Sequence, residues 1–216
     1  RSCIAIRKQS YMLYLNQKGN CMKEFVNRIV TLDNIKQWEE RDSVIKETVS
    51  QHSFKVSAIC IYILEDIAKK NGLKSDYRWI DFALKCVEYS VLHDFDEAIL
   101  GRDISHVVKY NHHNGEKIRE QLNDFVEYQT KELGLEFVNE SIDGDVKSFV
   151  KMCDWFAMLT FICRNQTMGV LSFDKEREYC LQKAGQSMDV VKFMLKHKFS
   201  DYQLDLTIFN NLTIYG

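Results

Sequence analysis

Two histidines and two aspartates stand out because each interrupts a stretch whose other regularly spaced residues are apolar. They are His52, the adjacent pair His93 and Asp94, and Asp154. Burying an unpaired carboxylate or a charged imidazole is costly, and a single buried polar residue is usually satisfied by hydrogen bonds. Four of them on separate segments read differently. Imidazole and carboxylate are the ligand types that hold a hard or borderline divalent cation. Helical bundles build metal sites by drawing such residues from different helices. Glu97 follows His93 by four residues and Asp94 by three, so on a continuous helix it shares their face. A carboxylate beside a hydrolytic water takes its proton or orients it.

The elements that must position these residues are helical almost throughout. Residues 22–34 predict an amphipathic helix, and residues 35–47 a charged connector. Thr48 to about Lys70 predicts a long helix, stopped by Asn71 and Gly72. Ser75 or Asp76 caps the next helix, which runs to about Leu92. His93 to Leu100 reads as a short helix ended by Gly101, and residues 102–113 as a polar loop. Glu116–Leu133, Val146–Arg164 and Phe173–His197 follow as helices, the last carrying Gly185 as a weak point. Leu204 to Tyr215 is rich in Leu, Ile, Thr and Phe, and is open between a strand and a packed tail. The expected architecture is all-α with one core, comprising an N-terminal extension (1–20), a main domain (21–197) and a C-terminal tail (198–216).

Composition narrows the function classes. With 216 residues, 45% hydrophobic and 28% charged, the chain is long enough and apolar enough for a sizeable core. A net charge of −2 gives no basic footprint for nucleic acid. Proline is absent and glycine scarce, which favours helices over turn-rich β folds. The seven cysteines include no C-x-x-C spacing, so a zinc ribbon or a thioredoxin-like motif is unsupported. Most sit in apolar stretches, as expected of free thiols in a reducing, cytoplasmic compartment. No apolar run reaches the length of a membrane helix, and residues 1–20 show no continuous apolar core of a signal peptide. No phosphate-binding Gly-rich loop, dinucleotide fingerprint or nucleophilic Ser or Cys arrangement is present.

Longer strings around these residues resemble a known family. Glu47-Thr-Val-Ser-Gln-His52-Ser-Phe-Lys-Val56 resembles the E-x-V-x-E-H-S-x-x-V opening of HD-domain phosphohydrolases. His93-Asp94-Phe-Asp-Glu97 is similar to their H-D-x-x-E. Gly101-Arg-Asp103-Ile-Ser105-His-Val-Val-Lys109-Tyr110 resembles the G-D-[IL]-P-[ST]-P-V-K-Y loop, with one inserted residue. Val150-Lys151-x-x-Asp154 resembles the distal V-K-x-x-D. The ordered set is most similar to the HD-domain 5′-deoxynucleotidases and spans about residues 22–195.

The resemblance implies a helical bundle, a homodimer, and one divalent cation (Co2+, Mn2+ or Mg2+) held by His52, His93, Asp94 and Asp154. Glu97 then activates or positions the attacking water. The implied reaction removes phosphate from deoxyribonucleoside 5′-monophosphates, with no nucleic-acid or membrane partner. Trp38 falls where the family's sugar-pocket Trp stands, and Asp103 where a carboxylate accepts a sugar hydroxyl. Gln37 replaces the family's phosphate-orienting Arg. Lys36, Arg41, Lys46 or Arg102 then substitutes, or the substrate pose differs. Ser105 and Val107 replace the two loop prolines. His106, His112 and His113 lie in a polar stretch and read as loop residues. The proline-free, Lys- and Asn-rich composition is compatible with a bacteriophage source. Two alternatives stay open: a triphosphohydrolase acting on a dNTP such as dATP, and a non-catalytic nucleotide-binding module.

Overall fold

In the computed structural model, residues 22–39, 42–103, 115–135 and 142–212 are described. Residues 22–32 are helical (α1). Two short antiparallel strands follow, β1 (Lys36–Gln37) and β2 (Glu47–Thr48), paired Lys36 to Thr48 and Gln37 to Glu47. The helices after them are α2 (Val49–Asn71), α3 (Tyr77–Leu92), α4 (Phe95–Leu100) and α5 (Gly115–Glu132). Then come α6 (Gly144–Thr167), α7 (Asp174–Lys198) and the single turn α8 (Ile208–Asn211). The all-α expectation holds, with a minimal hairpin where only a connector was expected. Two-residue strands are too short to carry an alternating pattern, so periodicity does not reveal them.

The chain divides into two units. The smaller comprises the residues up to Ile35 with Phe95–Glu140, and the larger comprises Lys36–Asp94 with Ser141–Gly216. In the smaller unit Phe25 stacks on Phe95 at 5.6 Å between ring centroids. Arg28 donates to the Ala98 carbonyl at 3.2 Å.

The larger unit is a bundle of α2, α3, α6 and α7 around one core. Val49, Val56, Cys60, Ile63 and Ile67 recur along α2 at helical spacing and are buried. Thr48 starts the helix with a capping box: its hydroxyl accepts from the Gln51 N–H, and the Gln51 side chain accepts from the Thr48 N–H. Gly72 ends it at φ 67°, a left-handed conformation that costs Gly least. Asp76 caps α3 by accepting from the Arg78 and Trp79 amides. α6 is central, with Phe149, Met152, Cys153, Trp155, Phe156 and Ala157 all buried. A helix apolar on nearly every side belongs inside a core. Each fully buried Phe or Ile there contributes roughly 1.5–3 kcal/mol.

Leu204 to Leu212 resolves as a packed tail, not a strand. Leu206, Ile208 and Phe209 are buried in the main core. Asn71 donates to the Asp205 carbonyl at 3.1 Å, and the Tyr202 hydroxyl donates to Asp76 at 2.8 Å. α7 runs unbroken through Gly185. No helix among the described residues is long and apolar enough to cross a membrane.

Candidate metal centre

His52, Asp154, His93 and Asp94 come together within the larger unit. His52 sits in the first turn of α2, on the buried stripe that follows Val49. Asp154 lies in the middle of α6, and its Oδ1 is 2.8 Å from His52 Nε2, across 102 residues of sequence. His93 and Asp94 occupy the joint between two helices. α3 ends at Leu92 with His93 as its cap, and α4 begins only at Phe95. The continuous helix expected from His93 onward therefore starts two residues later. The break has a physical cause: His93 Nδ1 is 2.9 Å from the Ser90 carbonyl and bonds the end of α3 instead of continuing the turn.

That bond also sets the chemistry of the ring. A carbonyl only accepts, so Nδ1 carries the hydrogen and Nε2 is turned toward the site. His93 Nε2 is buried with no hydrogen-bond partner, 3.1 Å from Asp94 Oδ2. Asp94 Oδ2 stands 3.9 Å from His52 Nε2. Ligand atoms of His52, His93 and Asp94 all fall within 4.8 Å of one another. Adjacent ligands of one ion, each about 2.0–2.2 Å from it, stand roughly 3 Å apart. The spacing and the orphaned Nε2 fit a divalent ion.

The electrostatics favour a positive charge at this point. Burial lowers the His93 imidazole, but Asp94 and Asp154 outweigh it and raise it to about 9. Burial works to raise the Asp94 carboxyl, yet His93 and His52 hold it at about 2. Burial likewise opposes ionisation of Asp154, but Lys151, His52 and His93 keep it far below the usual carboxylate range. Charges buried at this density are paired or coordinate metals. Lys151 bonds Asp154 Oδ2 and lies over the Trp155 ring at 4.8 Å.

Other residues singled out in the sequence lie as follows. Gln37 is buried on β1 as the strand partner of Glu47. Trp38, at φ 57°, stacks on Phe161 at 6.4 Å and meets Phe173 edge-on at 6.1 Å. Phe161 is two turns further along α6 than Asp154, so the Trp38 ring packs with the core. Lys36 and Lys46 are exposed. Glu97, Arg102 and Asp103 belong to the smaller unit, where Glu97 is buried in the first turn of α4, Asp103 is half-buried and Arg102 is exposed. Arg41 and Ser105 fall outside the described residues, as do His106, Val107, Lys109, Tyr110, His112 and His113.

Glu47 was not singled out by its chemistry, although it opens the His52 string. Its carboxylate is buried, with Oε1 3.9 Å from His52 Nδ1 and Oε2 2.7 Å from Lys55 Nζ. The available signal was an acid immediately before the Thr48 cap, five residues ahead of a ligand-type His. Ser90 was missed too, because it acts through its backbone carbonyl.

The family model described as 5′-deoxynucleotidase YfbR-like matches residues 24–202. No curated protein matches the chain. Among solved structures it is similar to an HD-domain phosphohydrolase from Listeria innocua, at 17% identity and TM-score 0.61, covering 82% of this chain and 86% of that one. A protein from Pyrococcus horikoshii aligns at 19% identity and TM-score 0.56, over 89% of this chain and 99% of that one. The HD phosphohydrolase DatZ of cyanophage S-2L, solved bound to dA and one catalytic Zn2+ ion, aligns at 16% identity and TM-score 0.51, over 87% and 91%. At these identities the structural likenesses establish the fold, an HD-domain helical bundle.

Proposed function

The chain belongs to the YfbR-like 5′-deoxynucleotidase family, whose fold is that of metal-dependent HD phosphohydrolases, and from that premise we propose that it removes the 5′-phosphate from deoxyribonucleoside 5′-monophosphates. The observation that carries the reading is the cluster of His52, His93 and Asp94 ligand atoms within 4.8 Å of one another, with Asp154 Oδ1 2.8 Å from His52 Nε2 beside it. These four residues are the proposed ligands of one divalent ion. When bound, such an ion would supply Lewis acidity toward the phosphoryl oxygens and would acidify water.

The chain's own groups do the rest. The Ser90 carbonyl holds the His93 imidazole in place, and His52 Nε2 and Asp154 Oδ1, 2.8 Å apart, are proposed as neighbouring ligand atoms. Lys151 occupies Asp154 Oδ2, which leaves Oδ1, beside His52 Nε2, as the oxygen that would hold the ion. An ammonium has three hydrogens to donate, so Lys151 can hold Asp154 and a phosphoryl oxygen together. It is thereby proposed as the cation that Gln37, which is neutral, does not provide. Glu97 is proposed as the base that takes the proton from the attacking water, and Asp103 as the acceptor of the sugar 3′-hydroxyl. The dA bound by DatZ supports a deoxynucleoside substrate class. A homodimer, the family's usual assembly, is proposed on the same footing.

The test is a panel of dNMP, dNTP and NMP substrates with Co2+, Mn2+, Mg2+ and Zn2+, in which phosphate and triphosphate are read separately. Phosphate from dNMP is expected, with deoxynucleotides favoured about ten- to a hundredfold over ribonucleotides, because an extra hydroxyl left unpaired costs roughly 1–3 kcal/mol. Triphosphate as the main product from dATP would replace this reading with a triphosphohydrolase. No product with any metal would favour a nucleotide-binding module.

A further inference from the structure

His52 and His93 are held in different ways. His93 leans on a backbone carbonyl at 2.9 Å. His52 Nδ1 instead faces Glu47 Oε1 at 3.9 Å, and both atoms are buried without a hydrogen-bond partner. Glu47 itself is tightly held. Its backbone sits in the hairpin opposite Gln37, and its other oxygen accepts from Lys55 at 2.7 Å. The segment before it is fixed to α6, where Asn165 Oδ1 accepts from the Ile45 N–H at 3.0 Å. A buried carboxylate so placed is costly unless it gains a second partner.

We propose that Glu47 is a positioning residue that sets the tautomer of His52. The inference rests on the metal reading above. An ion at Nε2 requires that nitrogen to present its lone pair, so in the neutral ring the hydrogen must stand on Nδ1. There it meets Glu47. Closing the 3.9 Å gap by about 1 Å gives a charge-assisted N–H···O bond. The carboxylate then makes the imidazole a stronger ligand and fixes its plane. Lys55, reaching in from the surface, holds the other carboxylate oxygen and so aims Glu47.

The experiment titrates Co2+ into the metal-free wild type, Glu47→Gln and Glu47→Ala by calorimetry, alongside thermal melts of each metal-free protein. Glu47→Ala is expected to bind Co2+ about ten- to a hundredfold more weakly. Glu47→Gln, whose amide oxygen still accepts from Nδ1, should recover part of that loss. A merely structural Glu47 would lower the metal-free melting temperature and leave Co2+ affinity unchanged. Wild-type affinity in both variants overturns this inference and leaves the metal reading standing. Absence of Co2+ binding to the wild type overturns both. The wild type also supplies a measurement that needs no variant: nitrogen NMR of the Zn2+-loaded protein should show His52 protonated at Nδ1, and Zn2+ bound through Nδ1 would sink the proposal even if neither variant folds.

Discussion

At the scale of single residues, His52 and Asp154 were legible because a polar group on an otherwise apolar stripe breaks a period of 3.6, and that break survives in a bare sequence. Glu47 and the Ser90 carbonyl were not, because their roles depend on which atoms face the imidazoles. Trp38 falls where the resembling family has a sugar-pocket Trp, and its stacking on Phe161 and Phe173 shows a packing role against the core that its spacing could not reveal. Glu97 follows His93 and Asp94 in sequence without being needed as a ligand. Glu97→Gln should therefore keep its metal content by elemental analysis and lose about a hundredfold or more in kcat, the usual scale for a positioned base. Unchanged kcat in a metal-replete sample would remove Glu97 from the mechanism. His93→Ala is the counterpart: it should lose both the ion and turnover.

At the scale of elements, helix limits were readable wherever a cap or a Gly marks them, as at Thr48, Gly72 and Asp76. They were unreadable at residues 93 and 94, where apolar residues flank the joint on both sides and the break comes from a side-chain contact. Asp76 gives a test of how the tail is fastened. The Tyr202 hydroxyl, then Arg78, hold its carboxyl at about 2, against 3.8 for a free side chain. The unfolded chain thus takes up the proton at a higher pH than the folded one. The stabilisation is complete above the free value and is lost as pH falls through about 2. Asn caps a helix about as well as Asp, so Asp76→Asn isolates the charge. Its melting temperature should sit several degrees below wild type at neutral pH, with the gap closing between about pH 4 and pH 2. A gap that is constant with pH would mean the charge contributes nothing.

At the scale of the whole molecule, the larger unit is built from two stretches of chain with part of the smaller unit inserted between them. All four proposed ligands belong to the larger unit, and they come from both of its stretches. An ion that binds only the folded arrangement should stabilise it by roughly 2.7 kcal/mol at a hundredfold excess over its Kd. Melts with Co2+ and with a chelator should differ by several degrees, and His93→Ala should erase the difference. An equal shift in that variant would place the ion elsewhere. The 102 residues between His52 and Asp154 also impose an order in time. At about 5–20 residues per second, a ribosome delivers His52, His93 and Asp94 several seconds before Asp154. In that interval a nascent chain offers two imidazoles and one carboxylate, a set that favours copper over the other first-row ions. The last proposed ligand arrives on the helix that also fills the core, so completing the hydrophobic interior would coincide with completing the proposed metal site. If the proposed site binds as described, which ion the finished protein carries would depend on what the cell leaves free while the chain is being made.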